Sequence, residues 1–441
     1  MGEQRVAIIG AGLAGCLLAT LLARRGLDVV VYERRDDPRV GGGETGRSIN
    51  LAVSARGLDA LEHVGLREHA LASALPMHGR MVHPVAGEPD FQSYSADGER
   101  AINSISRTQL NHALLDTAEA TPGVSLRFGH RLLDVDLAGG RLVMESADGP
   151  VEDHVDVVLA SDGSYSAARR PITFRPGFSF SQDYLEQGYK ELTVPAVDGE
   201  FALDPDALHI WPRGASMMIA LPNLDKSFTC TLFWPQDEMA ALTTPDAVER
   251  YFAQHYPDVA PLMPTLARDF LANPVGPLVT IRCWPWVHEG EGATLALVGD
   301  AAHAIVPFYG QGANCAFEDC VEIDRCLSEN DGDWAKALQD YQVRRKANSD
   351  AIADMALDNF VEMAERVSSR VFRAKSAATH ALERRLAGRY VSRYELVSFS
   401  TVPYAEIAGR IRRQNIALAG AAGVLVAVAA ATLAAARTAR R

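Results

Sequence analysis

Three glycine-bearing stretches carry the residue types from which a phosphate and cofactor site is built. Gly10-Ala11-Gly12-Leu13-Ala14-Gly15 follows the apolar run Arg5-Val6-Ala7-Ile8-Ile9, and Glu33 closes a second apolar run 18 residues after Gly15. In that context Gly10 makes the turn, Gly12 admits a pyrophosphate, Gly15 lets helix pack on sheet, and Glu33 binds ribose hydroxyls. Leu13, Ala14 and Arg34 adjoin these positions and fall in the same expected cofactor set. Asp162-Gly163 ends another apolar run, Val155 to Ala160, just before a helix start. The third stretch runs from Leu297 to Asn314 and holds Gly299-Asp300, Ala302-His303, Pro307-Phe308-Tyr309 and Gly310-Gln311-Gly312-Ala313-Asn314. Its glycines let backbone N–H groups approach a ligand, and the helix start favours negative charge such as the N1–C2=O edge of a reduced isoalloxazine. Read singly, each Gly-Asp or Asp-Gly pair is an ordinary tight turn; the three together point to a flavin dinucleotide.

Two arginines stand out beside them. Arg107 opens a helix after Ser106, and a cation in a first helical turn opposes the macrodipole unless an anion lies near, which makes it a candidate phosphate partner. Arg80, between Gly79 and Met81, is either an inward-facing cation or a surface strand arginine. Arg47 follows the glycine-rich stretch 41–46. No acid–base dyad is evident, so His303 reads as a structural hydrogen-bonder rather than a general base.

The elements that must position these residues follow from periodicity. Residues 5–33 read as strand, turn, helix, strand, and Ser54 as the cap of a helix with Leu58, Leu61 and Val64 on one face. Hairpin signals break the span from Val124 to Leu159. Runs around 208–211, 217–221 and 228–233 predict an antiparallel sheet with no intervening helices, whose methionines and aromatics form core or roof an apolar pocket. Trp334 to about Val367 reads as helix and contains Asn359, Phe360 and Met363; Tyr394, Phe399 and Tyr404 come later. The fold class is therefore α/β with α+β: a Rossmann-like dinucleotide-binding domain (1–75, 104–170 and 291–330), an interleaved antiparallel-sheet substrate domain (76–103 and 171–290) and a helical region (331–413).

With 441 residues the chain is long enough for two or three units, and 48% hydrophobic residues supply ample core. A net charge of −13 argues against a nucleic-acid partner. The six cysteines contain no Cys-x-x-Cys, so neither zinc nor a disulfide framework is indicated and a reducing cytoplasm is the simplest home. The first residues do not form a signal peptide. Near the other end, 416–436 is uncharged over 21 residues and flanked by arginines. That length spans a membrane, but eleven alanines contribute little transfer energy, so a soluble or interfacial helix competes with a membrane anchor.

The set and order of the three glycine motifs resemble the single-component aromatic-ring hydroxylases, the FAD-dependent monooxygenases. Within that family Gly46-Arg47-Ser48-Ile49-Asn50-Leu51-Ala52, Met77-His78-Gly79-Arg80-Met81, Tyr189-Lys190-Glu191-Leu192, His209-Ile210-Trp211-Pro212-Arg213 and Phe317-Glu318-Asp319-Cys320 resemble the kynurenine-hydroxylating members. The resemblance implies FAD and NADPH as cofactors, O₂ and kynurenine as substrates, and oxygen transfer from a flavin C4a-hydroperoxide to the ring carbon beside the amine. It implies that Arg80, Tyr94, Asn359 and Tyr394 hold the amino-acid end, while Phe233, Pro307, Phe308 and Met363 wall the ring. Arg107 and Asp300 would meet the FAD pyrophosphate and ribityl chain, and Gln311, Gly312, Ala313 and Asn314 the isoalloxazine; Ala52 and Leu132 are near the cofactor by the family pattern alone. Tyr309 and Ala313 depart from that pattern. From the residues themselves, a relative acting on another amino-substituted aromatic and a non-catalytic FAD-binding membrane or partner protein remain open.

Overall fold

The strand Arg5–Ile9 is buried along Val6, Ala7, Ile8 and Ile9, which explains its unbroken apolar run: it has no solvent face. In the computed structural model, which describes residues 4–40, 50–366, 369–386 and 388–420, it lies inside a six-stranded sheet. The order is Val287–Glu289, Thr294–Leu297, Val157–Ala160, Arg5–Ile9, Asp28–Tyr32, Val124–Arg127. All neighbours are parallel except the first pair. Gly10, Asp162-Gly163 and Gly299-Asp300 therefore leave the carboxyl ends of three adjacent parallel strands, which brings motifs from distant parts of the chain to one sheet edge.

A seven-stranded sheet runs in the order Gly276–Trp284, Ser179–Val194, Phe228–Pro235, Ser216–Pro222, Ala207–Arg213, Gly79–Val82, Asp90–Ser93. The expectation of a wholly antiparallel sheet is corrected at one pair: Gly79–Val82 runs parallel to Ala207–Arg213. No helix intervenes among Ala207–Arg213, Ser216–Pro222 and Phe228–Pro235, as their runs predict, but helices follow them. Gln236–Ala241, Pro245–His255 and Leu266–Ala272 intervene before the strand Gly276–Trp284. The second of these forms because the Thr244 hydroxyl accepts from the Ala247 amide and Val248 and Phe252 share one buried face. Strand alternation then divides the sheet. Trp211, Met218 and Leu232 pack with Val248 and Phe252, whereas Ile210, Met217 and Phe233 pack with Phe308 and Met363.

Ser54 does precede a helix, Ala55–His63, but its side chain does not cap it; its hydroxyl contacts Gln311 at 3.4 Å instead. The long helix Trp334–Val361 stops before Val367, giving way to a π-helical turn, Glu362–Arg366, that carries Met363. Helices Arg370–Arg385 and Arg393–Ser398 and a helical run over 404–420 follow. Among the described residues no helix is long and apolar enough to cross a membrane; Arg47 and most of 416–436 lie outside the described residues.

Candidate active site

The loops at the carboxyl ends of the parallel strands and one face of the seven-stranded sheet enclose a cavity of about 350 Å³. Gly12, Leu13, Ala14, Ala52, Arg107, Asp300, Gly312, Ala313 and Asn314 line it from the expected cofactor set. Every residue of the expected substrate set lines it as well: Arg80, Tyr94, Phe233, Pro307, Phe308, Asn359, Met363 and Tyr394. Gly10, Gly15, Glu33, Leu132, Asp162 and Gln311 do not. Leu132 is buried core, Arg34 is exposed, and Gln311 directs its side chain to the Tyr404 hydroxyl at 2.8 Å and to Ser54.

The glycines have separable reasons. Gly10 has φ +103°, and a Cβ there would meet the Ser161 carbonyl oxygen at 2.7 Å; a Cβ on Gly15 would meet the Gly10 carbonyl oxygen at 2.0 Å. These two are demanded by the protein's own backbone. Among the described residues a Cβ on Gly12 would meet no atom within 4 Å beyond its chain neighbours, so its missing side chain leaves room on the cavity side. Behind the turn, Glu33 accepts from the Ala11 amide at 3.0 Å and from the Arg35 amide and Nε at 3.0 and 2.9 Å. Burial opposes its charge, but Arg35 and these amides outweigh it and lower its pKa.

Two further carboxylates face differently. Asp300 is accessible from the cavity while protein surrounds it on the other sides, and no protein donor among the described residues bonds its side chain. Loss of water raises its pKa, against the pull of His303 and Arg107. Asp162 accepts from the Ala167 and Ala168 amides at 2.7 and 3.1 Å, yet its other oxygen is buried with no partner among the described residues, and burial raises its pKa. A glycine cradle, a partnerless acid, Arg107 and the helix start at Gly312 fit a dinucleotide bearing phosphates and ribityl hydroxyls.

Sequence reasoning missed what holds Gly299-Asp300 in place. Asp319 accepts from the Gly299 amide at 3.0 Å, pairs with His303 Nε2 at 2.6 Å and accepts from Arg345 Nε at 2.7 Å. Arg345 also pairs with Glu318 at 2.9 Å, and Glu318 with Arg56 at 2.5 Å. Burial works against a charged His303, but Asp319 holds its pKa well above the ordinary histidine value; burial also opposes ionised Asp319, whose pKa His303 and Arg345 lower. His303 thus orients the turn and lies outside the cavity lining, in keeping with a structural role. The ligating atoms of His303, Cys315 and Asp319 lie within 4.8 Å of one another, but Arg345 already donates to both Asp319 and Cys315. No helix or strand periodicity marks these partners, because they meet only when helices Gly312–Glu329 and Trp334–Val361 pack.

On the opposite wall Arg80 donates to Gln92 at 3.2 Å and stands 3.9 Å from Glu362. Tyr94 and Tyr394 stack with centroids 4.9 Å apart, and among the described residues the buried Tyr94 hydroxyl has no well-formed hydrogen bond, only the nearby Tyr394 hydroxyl. Burial pushes the Tyr94 pKa up to about 12. Asn359 donates to the Phe308 carbonyl at 2.7 Å, fixing Phe308 edge-on to Phe233 at 5.0 Å. This wall of the cavity therefore offers the Arg80 guanidinium and phenolic hydroxyls beside apolar aromatic rings, suited to a small aromatic ligand with an anionic end. Among the described lining residues there is no histidine and one carboxylate, Asp300.

The family of the FAD binding domain matches residues 3–356. The kynurenine 3-monooxygenase of Myxococcus xanthus (strain DK1622) is 49% identical over 413 residues, 92% of this chain and 88% of that protein. The kynurenine 3-monooxygenase of Salinispora arenicola (strain CNS-205) is 42% identical over 448 residues, 100% of this chain and 98% of that one. Among solved structures, a tetrameric form of 2-methyl-3-hydroxypyridine-5-carboxylic acid oxygenase shares the fold, with a TM-score of 0.68 at 20% identity over 85% of this chain and 96% of that chain. With a site that fits FAD and relatives matched over nearly their whole length, this chain belongs to the kynurenine 3-monooxygenase family of FAD-dependent aromatic monooxygenases.

Proposed function

We propose that this chain converts L-kynurenine, O₂, NADPH and a proton to 3-hydroxy-L-kynurenine, water and NADP⁺. The observation that carries the reading is that Arg80 and the Tyr94–Tyr394 stack open into the same cavity as Gly12, Arg107, Asp300 and the helix start at Gly312. Bound FAD supplies what no side chain can, reduction by NADPH and activation of O₂ at its C4a atom. The residues of this chain bind, orient and exclude water. Arg80, with Tyr94, Asn359 and Tyr394, takes the amino-acid end; Phe233, Pro307, Phe308 and Met363 hold the ring and keep the reacting carbon dry. An aniline amine already activates its ortho carbon, so the reaction calls for no catalytic base to deprotonate the substrate.

In this reading Gly10, Gly12, Leu13, Ala14 and Gly15 shape the pyrophosphate turn, and Glu33 and Arg34 serve the adenosine ribose side. Arg47, Ala52, Arg107, Leu132, Asp162, Asp300, Gln311, Gly312, Ala313 and Asn314 make up the rest of the cofactor site, directly or from behind it. The cofactor unit comprises 1–75, 104–170 and 291–330, the substrate unit 76–103 and 171–290. The six free cysteines, all buried, support a reducing cytoplasm. Contact of 416–436 with a membrane belongs to the same reading and is dropped if the full chain and one ending at Arg413 both stay in the soluble fraction.

The test is steady-state NADPH oxidation by the purified flavoprotein. Kynurenine is expected to accelerate it and to gain one oxygen atom by mass. No acceleration and no product rejects the reading. Equal turnover of an amine lacking the amino-acid tail, with Arg80→Ala harmless, favours a different amino-aromatic substrate.

A further inference from the structure

Beyond the cavity, two histidines are joined ring to ring beside the strand that carries Arg80. His83 directly follows Gly79–Val82; His209 lies in the parallel neighbour Ala207–Arg213, where Leu208 is in register with Arg80 and His209 with Met81. His83 Nε2 is 2.8 Å from His209 Nδ1. His83 Nδ1 is 2.7 Å from Asp258 Oδ2, and His209 Nε2 is 2.9 Å from the Asp204 carbonyl oxygen. Both rings are buried and neither lines the cavity.

These contacts fix a proton count. A carbonyl oxygen only accepts, so His209 Nε2 carries a hydrogen. The Asp258 carboxylate also accepts from Trp211 Nε1 at 2.8 Å, and although burial opposes its charge, His83 and Trp211 lower its pKa; His83 Nδ1 therefore carries a second hydrogen. The nitrogen–nitrogen contact requires a third. Three N–H groups on two imidazoles give the pair one positive charge, and a neutral pair, with two, must leave one contact unmade. Burial works against a charge on the His209 ring, pushing its pKa to about 4, and the Asp258 carboxylate lies at the His83 end of the pair. The other charged groups facing the pair are Asp204 and Arg213; Arg213 is turned to the His83 and His255 carbonyls at 3.0 and 2.6 Å and lies over the Tyr256 ring. Trp211 stacks on His83 at 4.2 Å, and Phe228 meets His209 edge-on.

His83 is also tied through its backbone, its amide donating to Ile210 at 2.8 Å while its carbonyl accepts from Arg213. We propose that the His83–His209 pair is a proton-held positioning device: at pH 7 it keeps one shared proton, and through it fixes the strand that presents Arg80 to the substrate. Losing that proton then weakens substrate capture rather than oxygen transfer. The link to capture rests on Arg80 serving the kynurenine carboxylate; the proton count does not.

The test uses the FAD-loaded full chain with ¹⁵N-labelled histidine, the two rings being assigned by comparison with His83→Gln and His209→Gln. Three of the four ring nitrogens are expected to be protonated at about pH 7, above the ordinary histidine value of about 6.5; two would overturn the proposal. Asp258→Asn, which removes the counter-charge, is expected to raise the KM for kynurenine about tenfold at pH 7 with kcat unchanged, and to recover as pH falls to about 6. No rise, or the same rise at both pH values, overturns the positioning role. Should the wild-type protein not turn over kynurenine, the functional reading fails on its own and the nitrogen spectra still decide the proton count.

Discussion

Tyr94 and Tyr394 lie 4.9 Å apart and 21° from parallel, so the polar end of the cavity is closed by a ring from helix Arg393–Ser398 laid on one from the segment after Asp90–Ser93. Tyr394 also stacks with Tyr309 at 5.9 Å. The pocket is complete only when the C-terminal helices are docked.

The buried Tyr94 hydroxyl, without a well-formed hydrogen bond among the described residues, gives this pair an asymmetric expectation. Leaving a buried hydroxyl unbonded costs about 1–3 kcal/mol. Tyr94→Phe is therefore expected to leave the substrate-free flavoprotein as stable as wild type or more so by ~1 kcal/mol, while raising the KM for kynurenine about tenfold. Thermal unfolding and steady-state kinetics read the two effects separately. A destabilised variant with unchanged KM would mean that the hydroxyl is satisfied within the protein.

The glycine turn separates folding from cofactor binding. Gly15→Ala would bring Cβ to 2.0 Å from the Gly10 carbonyl oxygen, whereas Gly12→Ala meets no atom of the described residues within 4 Å beyond its chain neighbours. Gly12→Ala should keep the melting temperature of flavin-free protein and lose most of its bound flavin, measured as flavin absorbance per mole of chain. Gly15→Ala should lose both. Equal flavin content in Gly12→Ala and wild type would remove Gly12 from the cofactor contact.

These outcomes bear on what a sequence can disclose. The β-strand, turn and helix of residues 5–32 were legible because their glycines and apolar runs are local, and the three glycine stretches marked the turns at which a dinucleotide would sit. Arg80 read equally as surface or interior, since only the register of Gly79–Val82 beside Ala207–Arg213 decides its face. His303 read as a structural hydrogen-bonder, and Asp319 and His209 fell in strings that carry the family resemblance, but the pairings of Asp319 with His303 and Arg345 and of His83 with His209 were not legible. Each set joins elements that meet through tertiary packing, and no periodicity encodes such a meeting. The helices between Pro235 and Gly276 were passed over because their short amphipathic stretches sit among strands with stronger patterns.

Arg56 ties the C-terminal region to the cofactor helix. Fully buried, it pairs with Glu318, donates to the carbonyls of Leu396, Val397 and Val402, and lies 3.8 Å over the Tyr404 ring. Arg56→Met leaves Glu318 with Arg345 alone and three carbonyls without their donor; breaking such buried pairs typically costs about 3–5 kcal/mol. Amide hydrogen exchange is expected to accelerate across 393–420 and stay unchanged across 5–32. Uniform acceleration, or none, would refute a local tether.

The buried pair of His303 and Asp319 gives a pH dependence with a definite sign. Despite burial, Asp319 raises the His303 pKa well above the ordinary value, so the stability contributed by the imidazolium is complete below the unfolded value of about 6.5 and is lost as pH rises through the folded one. The Asp319 pKa is lowered, so its contribution is complete above the unfolded value of about 3.9 and is lost as pH falls through the folded one. Between those limits both charges stabilise the Gly299 turn. His303→Gln is expected to cost about 3–5 kcal/mol near pH 6, since it leaves a buried carboxylate short of one partner. That difference should shrink as pH is raised, because the wild-type protein then loses the same charge by titration. Chemical unfolding of both proteins from pH 5 to 9, followed by flavin fluorescence, reads the difference directly. A gap that widens with rising pH would mean that His303 is neutral in the folded protein and that Gly299-Asp300 is held by Arg345 and Asp319 alone.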